Sequence, residues 1–230
     1  MTQFVIPGTP DVEVTLRRSA AARRFSLRVS RLDGRVTLTL PRSARDAEAR
    51  AFAFEKADWL RRVLATATPQ RRVALGAVLP FQGQDLTIVP GAVRAPRIEG
   101  TSLIVPPDPD RVGARVEAFV KLAARQRLQA ASDRYAAALG RPYSRLSLRD
   151  TRSRWGSCAP DGSLMYSWRL ILAPSDVLDY VAAHEVAHLA EMNHSSAFWA
   201  VVERLRPGHA PERAWLKRHG TALHAIRFRD

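Results

Sequence analysis

Two histidines four residues apart constrain this chain more than any other feature, because they require a helix at one particular place. Residues 184–188 read His-Glu-Val-Ala-His, which is the HExxH arrangement. On a helix, positions i and i+4 project from the same face, so His184 and His188 can share one ion. The carboxylate of Glu185 stands beside them and can take a proton from water. The pattern therefore predicts a helix that carries a hydrolytic zinc site, with Glu185 as the general base.

A zinc ion that acts on water is usually held by three protein ligands, so a third ligand is needed. His194 is the predicted third ligand, because it follows the second histidine by six residues, as in the metzincin pattern HExxHxxGxxH. Glu191 stands where that pattern has glycine. The chain is therefore expected to turn at Met192-Asn193, with the asparagine in the left-handed conformation.

Two other side chains remain alternatives for the third ligand. Glu191 itself lies close in sequence, and Glu203 falls on a predicted helix over residues 195–205, whose start would hold His194 in place. Cys158 as a fourth ligand would close the site and make it structural, which is not the expected arrangement.

Composition indicates a globular protein that needs no disulfide. The chain has 230 residues, 46% of them hydrophobic, and a single cysteine. The N-terminal MTQFVIPGTP has neither a basic segment nor a long apolar segment, and no later apolar run approaches the length of a membrane span. We therefore expect a cytoplasmic protein that does not enter a membrane.

The formal charge is strongly positive, with 36 basic and 22 acidic residues giving +14. Such a charge attracts polyanions, so a nucleic-acid partner is possible on this ground, but charge alone rarely identifies a partner. An arginine-rich composition can equally reflect a GC-rich genome.

The fold class predicted from the pattern of elements is α+β, with a β-rich region over residues 1–109 and a second domain over residues 110–230. In the first region, Asp33-Gly34 is a predicted turn, and the strands around it indicate a meander or a pair of hairpins. The predicted elements of this region are strands over residues 12–16, 25–29 and 36–40, one amphipathic helix over residues 47–64, and two or three further strands up to residue 109.

The second domain begins where the apolar spacing becomes helical. The helix that starts at residue 110 is expected to end at Gly140-Arg141-Pro142. Two strands, over residues 146–148 and 165–172, are expected around a turn at residues 159–162. Ser175 is the predicted N-cap of the HExxH helix, which is expected to run from residue 177 to about residue 190.

Several ordered motifs make the sequence similar to one known family. They are residues 154–158 (RWGSC), 168–174 (WRLILAP), 180–189 (YVAAHEVAHL), 193–195 (NHS), Phe198-Trp199 and, near the N-terminus, 23–29 (RRFSLRV). Together they resemble the YgjP-like metallopeptidase family over nearly the whole chain.

This resemblance implies a zincin-like core similar to that of SprT-like proteases, in which the HExxH helix packs beside a small antiparallel sheet. It also implies that His194 is the third ligand. Members are generally described as metal-dependent hydrolases or peptidases, and one has been described as a UTP pyrophosphatase. The resemblance therefore indicates the site more closely than the substrate.

The favoured function is that of a zinc metallopeptidase acting on a peptide or protein, with the strand over residues 165–172 as an edge for the substrate. The first alternative is a nucleoside triphosphate (UTP) pyrophosphohydrolase at the same metal site, with Arg152, Arg154 and Arg169 around the phosphates. The second alternative is a nucleic-acid-associated module with a structural metal. Arg152 or Arg154 could also stabilise an oxyanion in the peptidase reaction.

Overall fold

The computed structural model describes residues 3–30, 34–65 and 69–229. The chain divides into two compact units, Met1–Gln70 and Arg71–Asp230. The predicted boundary near residue 110 therefore falls inside the second unit. Strands before residue 110 and the long helix after it share one hydrophobic core, in which Leu103 and Val105 belong to the same buried cluster as Val116.

In the described part of the first unit, a four-stranded sheet is accompanied by two helices. Its order is β1-β2-β4-β3, with β2 parallel to β4 and the other two pairs antiparallel. Alternate residues of β2 and β4 are buried together with Ala49, Ala53 and Leu60 of the helices. The elements are β1 (Gln3–Ile6), β2 (Val12–Ser19), β3 (Ser26–Val29), β4 (Val36–Pro41), α1 (Asp46–Glu55) and α2 (Ala57–Ala65).

The three strands predicted for this unit are confirmed, but the meander is wrong because β2 pairs with β4 rather than with β3. The predicted turn includes Asp33, which lies outside the described residues. The single helix predicted over residues 47–64 is interrupted at Lys56, the C-cap of α1. Period-2 burial identifies the strands, but it carries no information about which neighbour each one pairs with.

The second unit combines three small sheets with four helices in its described residues. A four-stranded sheet has the order β6-β7-β9-β8, a three-stranded sheet has the order β10-β12-β11, and β5 pairs with β13. Two 3-10 helices, Pro109–Arg111 and Trp168–Leu172, connect elements. The elements are β5 (Arg71–Arg72), β6 (Val78–Phe81), β7 (Gln84–Pro90), β8 (Arg97–Glu99), β9 (Ser102–Val105), α3 (Val112–Leu139), β10 (Arg145–Arg149), β11 (Gly156–Cys158), β12 (Ser163–Ser167), α4 (Ser175–Ala187), α5 (Ser196–Leu205), α6 (Ala210–His224) and β13 (Ile226–Arg227).

The α+β class is confirmed, and the HExxH motif lies on α4, which contacts the three-stranded sheet through β11. This sheet is mixed rather than antiparallel, because β12 is parallel to β10 and antiparallel to β11. The strand predicted over residues 165–172 is wrong in its second half, where the chain forms a 3-10 helix. Every residue of that 3-10 helix is buried, including Arg169, and a short, mainly apolar run does not distinguish a buried strand from a buried helix.

Helix α4 packs against the long helix α3 and is apolar on most of its surface. Helix α3 ends as predicted, with Gly140 in the left-handed conformation at φ 73°. Ser175 is the first residue of α4 rather than its N-cap, which is Pro174, and the Ser175 hydroxyl donates to the Gln82 carbonyl at 3.5 Å. Among the described residues no helix is both long and apolar enough to cross a membrane.

Candidate metal centre

Three imidazole rings meet at the C-terminal end of α4. One ring nitrogen from each of His184, His188 and His194 lies within 4.8 Å of the other two. The Nε2 atoms of His184 and His194 are 3.1 Å apart. Two nitrogen ligands of a tetrahedral zinc ion, each at about 2.0–2.1 Å, lie about 3.3 Å from each other. The distance between His184 and His194 therefore fits two ligands of one such ion.

The loop between α4 and α5 holds His194 opposite the two helical histidines. The Asn193 side chain accepts a hydrogen bond from the Ser195 backbone N–H at 3.0 Å, and Ser195 caps α5 by accepting from the Phe198 N–H at 3.4 Å. The expected left-handed conformation of Asn193 is wrong, since Gln82 is the non-glycine residue with positive φ in the described chain. A side-chain hydrogen bond, and not a left-handed residue, shapes the turn.

Phe198 forms the base of the site. Its ring is fully buried and lies 4.4 Å from the His188 ring, 4.8 Å from the His194 ring and 4.9 Å from the His184 ring, measured between centroids. The motif that contains Phe198 does not by itself predict that this ring packs under the three histidines. Its position three residues after the N-cap Ser195 placed it on the first turn of α5, facing α4.

Burial keeps the imidazoles of His184 and His188 neutral. It lowers the pKa of His184 to about 3, with His188 and His194 as further causes. It also lowers the pKa of His188, although a hydrogen bond between His188 Nδ1 and the Glu191 carbonyl, at 2.9 Å, acts in the opposite direction. A metal ion needs the neutral ring, and the Glu191 carbonyl leaves Nε2 of His188 available as the donor.

Glu185 is buried beside the three histidines against β11. Burial raises its pKa to about 8, opposed by the charge of Arg154 and by a hydrogen bond from the Cys158 backbone. The backbone of Gly156 lies so close that an added Cβ would be 2.5 Å from Glu185 Cγ. A glycine at this position lets the strand touch the carboxylate side chain.

The two carboxylates considered as third ligands are not part of this cluster of donors. The Glu203 carboxylate accepts hydrogen bonds from the Gly208 N–H and from His209, both at 2.9 Å. Glu191 instead contributes its backbone carbonyl, which is the acceptor for His188. The His194 ring therefore lies beside the rings of the other two histidines, whereas the carboxylates of Glu191 and Glu203 do not belong to the cluster.

Cys158 is a free cysteine beside this site. Burial, with the charges of Glu185 and Asp161 as lesser causes, raises the pKa of its thiol to about 11. The thiol therefore holds its proton more strongly than usual, and its sulfur is not part of the donor cluster of the three histidines.

The three arginines that are candidates for substrate binding have different neighbours in the structure. Arg154 is close enough to Glu185 to affect its pKa, and Arg152 similarly affects the pKa of His224. Arg169 is buried, donates from Nε and Nη2 to Asp150 at 2.6 and 3.1 Å, and donates from Nη1 to the carbonyls of Leu223 and Ile226. Its guanidinium therefore holds the C-terminal segment, whereas Arg154 is the candidate arginine that acts on Glu185.

A stack of rings supports the outer side of the site. His209 lies between Tyr180 and Trp199, nearly parallel to both, with ring centroids 5.5 and 5.7 Å away. Trp199 in turn lies 5.7 Å from His184 and 6.0 Å from His194. The stack links α4, α5 and the start of α6, so it braces two of the three imidazoles.

Similarity to known proteins extends over most of the chain. A family model described as "YgjP-like, metallopeptidase domain" matches residues 23–219. Among solved structures, the metallopeptidase zymogen of Pyrococcus abyssi abylysin is similar over 44% of this chain and 94% of that chain, with 23% sequence identity and a TM-score of 0.35. No curated protein matches the chain. The residues matched by the family model include the whole candidate centre.

The contact between Gly156 and Glu185 generates a test by a double-variant cycle. Gly156→Ala is expected to lower the free energy of unfolding by about 1–3 kcal/mol, because the new methyl group collides with Glu185. Glu185→Ala removes the atoms of that collision. The free energy of unfolding of the double variant should therefore be higher, by about 0.5 kcal/mol or more, than the value obtained by adding the effects of the two single variants. Urea unfolding in the presence of a chelator measures the cycle, and simple additivity would show that the contact is absent.

Proposed function

The chain belongs to the YgjP-like metallopeptidase family and is a metal-dependent hydrolase, and we propose that it is a zinc peptidase. In this proposal His184, His188 and His194 hold the metal. Glu185 is the general base. The observation that carries the proposal is the meeting of three imidazoles beside one buried carboxylate. This combination of donors and base is what zinc-assisted hydrolysis requires.

The three histidines would supply the donors, and their chemistry favours zinc. Three imidazole ligands with one position left open are typical of catalytic zinc sites. A bound zinc ion polarises a carbonyl group and makes water a better nucleophile at neutral pH. The Glu191 carbonyl orients His188, and the cap at Ser195 with the ring of Phe198 keeps His194 in place.

Glu185 would move the proton. Its carboxylate takes a proton from the attacking water and passes it to the leaving amine of the peptide. Burial raises its pKa to about 8, and a general acid–base group works best when its pKa is close to the working pH. The contact with Gly156 and the hydrogen bond from Cys158 restrict the carboxylate to one position.

An extended peptide could pair with the outer strand of the nearby sheet. The strand expected to do this, over residues 165–172, overlaps the end of β12, which is the central strand of its sheet. The outer strand next to α4 is β11, which also touches Glu185 through Gly156. Pairing of a substrate backbone with an outer strand gives affinity with little dependence on side chains.

The nucleotide alternative lacks the arrangement that it needs. A triphosphate requires several cations converging on one place, and the guanidinium of Arg169 is already bound to Asp150 and to two carbonyls. The nucleic-acid alternative rests on the +14 charge alone. Neither alternative is proposed here as the function.

Metal content tests the ligand set. Chain purified without added metal should contain one zinc ion. Zinc binding should weaken by more than about 100-fold in each of three variants, His184→Ala, His188→Ala and His194→Ala. The reason is that loss of a metal ligand costs more affinity than loss of a residue that only hydrogen-bonds to a ligand. His219→Ala, a change of an exposed histidine, is the matched control and should bind zinc normally. Elemental analysis and competition with a chromogenic chelator measure both quantities.

Unchanged zinc affinity in His194→Ala would refute its role as third ligand. In that case Glu191→Gln and Glu203→Gln would identify which carboxylate replaces it. Equal loss of zinc in His219→Ala would show that the method does not report on the site.

Cleavage of an unfolded protein tests the chemistry. The zinc-loaded chain should cleave casein, and Glu185→Gln should keep the zinc and the fold but lose at least about 100-fold in kcat, because it removes the base and not a ligand. Mass spectrometry of the fragments and zinc analysis of the variant are the measurements. Loss of zinc in Glu185→Gln would mean that Glu185 has been given the wrong role.

Parallel assays with UTP, with and without added magnesium, separate the two enzyme functions. Release of pyrophosphate that depends on Glu185, with no cleavage of casein, would replace the peptidase by the pyrophosphohydrolase.

A further inference from the structure

A cavity of about 380 Å³ opens beside the candidate metal centre. His188 lines it on one side, and the turn between β11 and β12 lines it on the other. Arg141 and Pro142, from the loop that follows α3, form a third side. The cavity therefore adjoins the candidate centre through one of its three histidines.

A second cavity, of about 560 Å³, continues from the same loop. It is also lined by Arg141 and Pro142, and it extends along the last two turns of α3 to Asp133. Gly140 lies in its wall, and a Cβ added there would meet no atom within 4 Å, so the space above the helix end is open. The two cavities adjoin at Arg141 and Pro142, which line both, and the surface that they form together is called here the α3 groove.

We propose that the α3 groove binds an extended polypeptide segment that continues from the cleavage site. This inference rests on the proposed peptidase function and deepens it, because it assigns substrate contacts to a surface away from the metal centre. The substrate is then an unfolded stretch of protein rather than a dipeptide or another small molecule.

The length of the groove suits several residues. From Asp133 to Gly140 the helix rises by about 10 Å, at 1.5 Å per residue. An extended chain advances about 3.3–3.6 Å per residue, so this part of the groove accommodates about three residues. The cavity beside His188 adds room for the residues next to the scissile bond.

The charges of the groove favour a polypeptide over a polyphosphate. The whole chain carries +14, yet the groove is lined by two carboxylates, Asp133 and Asp161, and by one cation, Arg141. Arg141 donates from Nη1 to the Leu189 carbonyl at 2.7 Å, and Asp161 has Arg145 as a neighbour at 3.7 Å. The excess positive charge of the protein therefore does not lie in this groove.

The other side chains of the groove are mostly apolar or small. They include Ala136, Ala137, Pro142, Leu189 and Met192, and the Met192 side chain is exposed. Tyr143 adds a hydroxyl that donates to Asp133. Apolar walls with a few polar groups are typical of binding sites, and pockets for alternate side chains give an extended peptide its specificity.

Binding to the full-length Glu185→Gln chain tests this inference without requiring turnover. The probes are fluorescent, overlapping 12-residue peptides that cover casein, and the tightest binder is then shortened to six residues from each end in turn. Fluorescence anisotropy should show that the 12-residue peptide binds at least tenfold more tightly than one of the shortened forms.

Filling the groove should remove this dependence on length. Ala137→Trp places a large ring in the groove, so the 12-residue peptide should bind no more tightly than the six-residue form. Ala138→Trp is the matched control, because Ala138 is exposed on the same helix turn but does not line the groove, and it should keep the tenfold difference.

Three outcomes would overturn the inference: no binding of any peptide, a length dependence that survives Ala137→Trp, or an equal loss in Ala138→Trp. The proposed peptidase reaction can fail separately. Length-dependent binding that Ala137→Trp removes, with no cleavage by the unsubstituted chain, would keep the groove and refute the peptidase. Cleavage of casein, with no effect of Ala137→Trp on peptide binding, would keep the peptidase and refute the groove.

Discussion

Helix α4 buries apolar side chains on most of its circumference, and the candidate centre depends on this burial. The same packing that stabilises the helix takes Glu185 and His188 out of water, leaving them 6% and 7% exposed. Desolvation is the largest cause of the pKa shifts of His184, Glu185 and His188. Charged forms are disfavoured in such surroundings, so the imidazoles are neutral donors and the carboxylate holds its proton more strongly. The burial of one helix thus lowers the pKa of two of the candidate ligands, His184 and His188, and raises the pKa of Glu185.

Polar groups around α4 reduce the free-energy cost of burying the ionisable side chains His184, Glu185 and His188. Glu191 accepts from His188, Cys158 donates to Glu185, and Arg169 anchors the C-terminal segment whose His224 stacks on Trp155. Nδ1 of His184 is buried without a hydrogen-bond partner among the described residues.

The sequence predicted those features that depend on local spacing. The helix of His184 and His188, the end of α3 at Gly140 and the start of α5 after Ser195 all follow from periodicity and capping, and the family match confirms the resemblance read from the motifs. Features that depend on distant contacts could not be read in this way. The parallel pairing of β2 with β4, the 3-10 helix after Ser167 and the inclusion of strands before residue 110 in the second unit are set by tertiary packing. The contacts of Arg169 could not be predicted either, because its partners, Asp150 and two carbonyls of the C-terminal segment, are far from it in sequence.

The environment of the bound metal can be measured directly by X-ray absorption at the zinc edge on the purified chain. Three histidine ligands and one oxygen ligand should give a first shell of nitrogen and oxygen at about 2.0–2.1 Å, with the outer-shell scattering of three imidazole rings. His194→Ala should reduce that scattering to two rings. A sulfur at about 2.3 Å would identify Cys158 as a ligand and would contradict an open site formed by His184, His188 and His194.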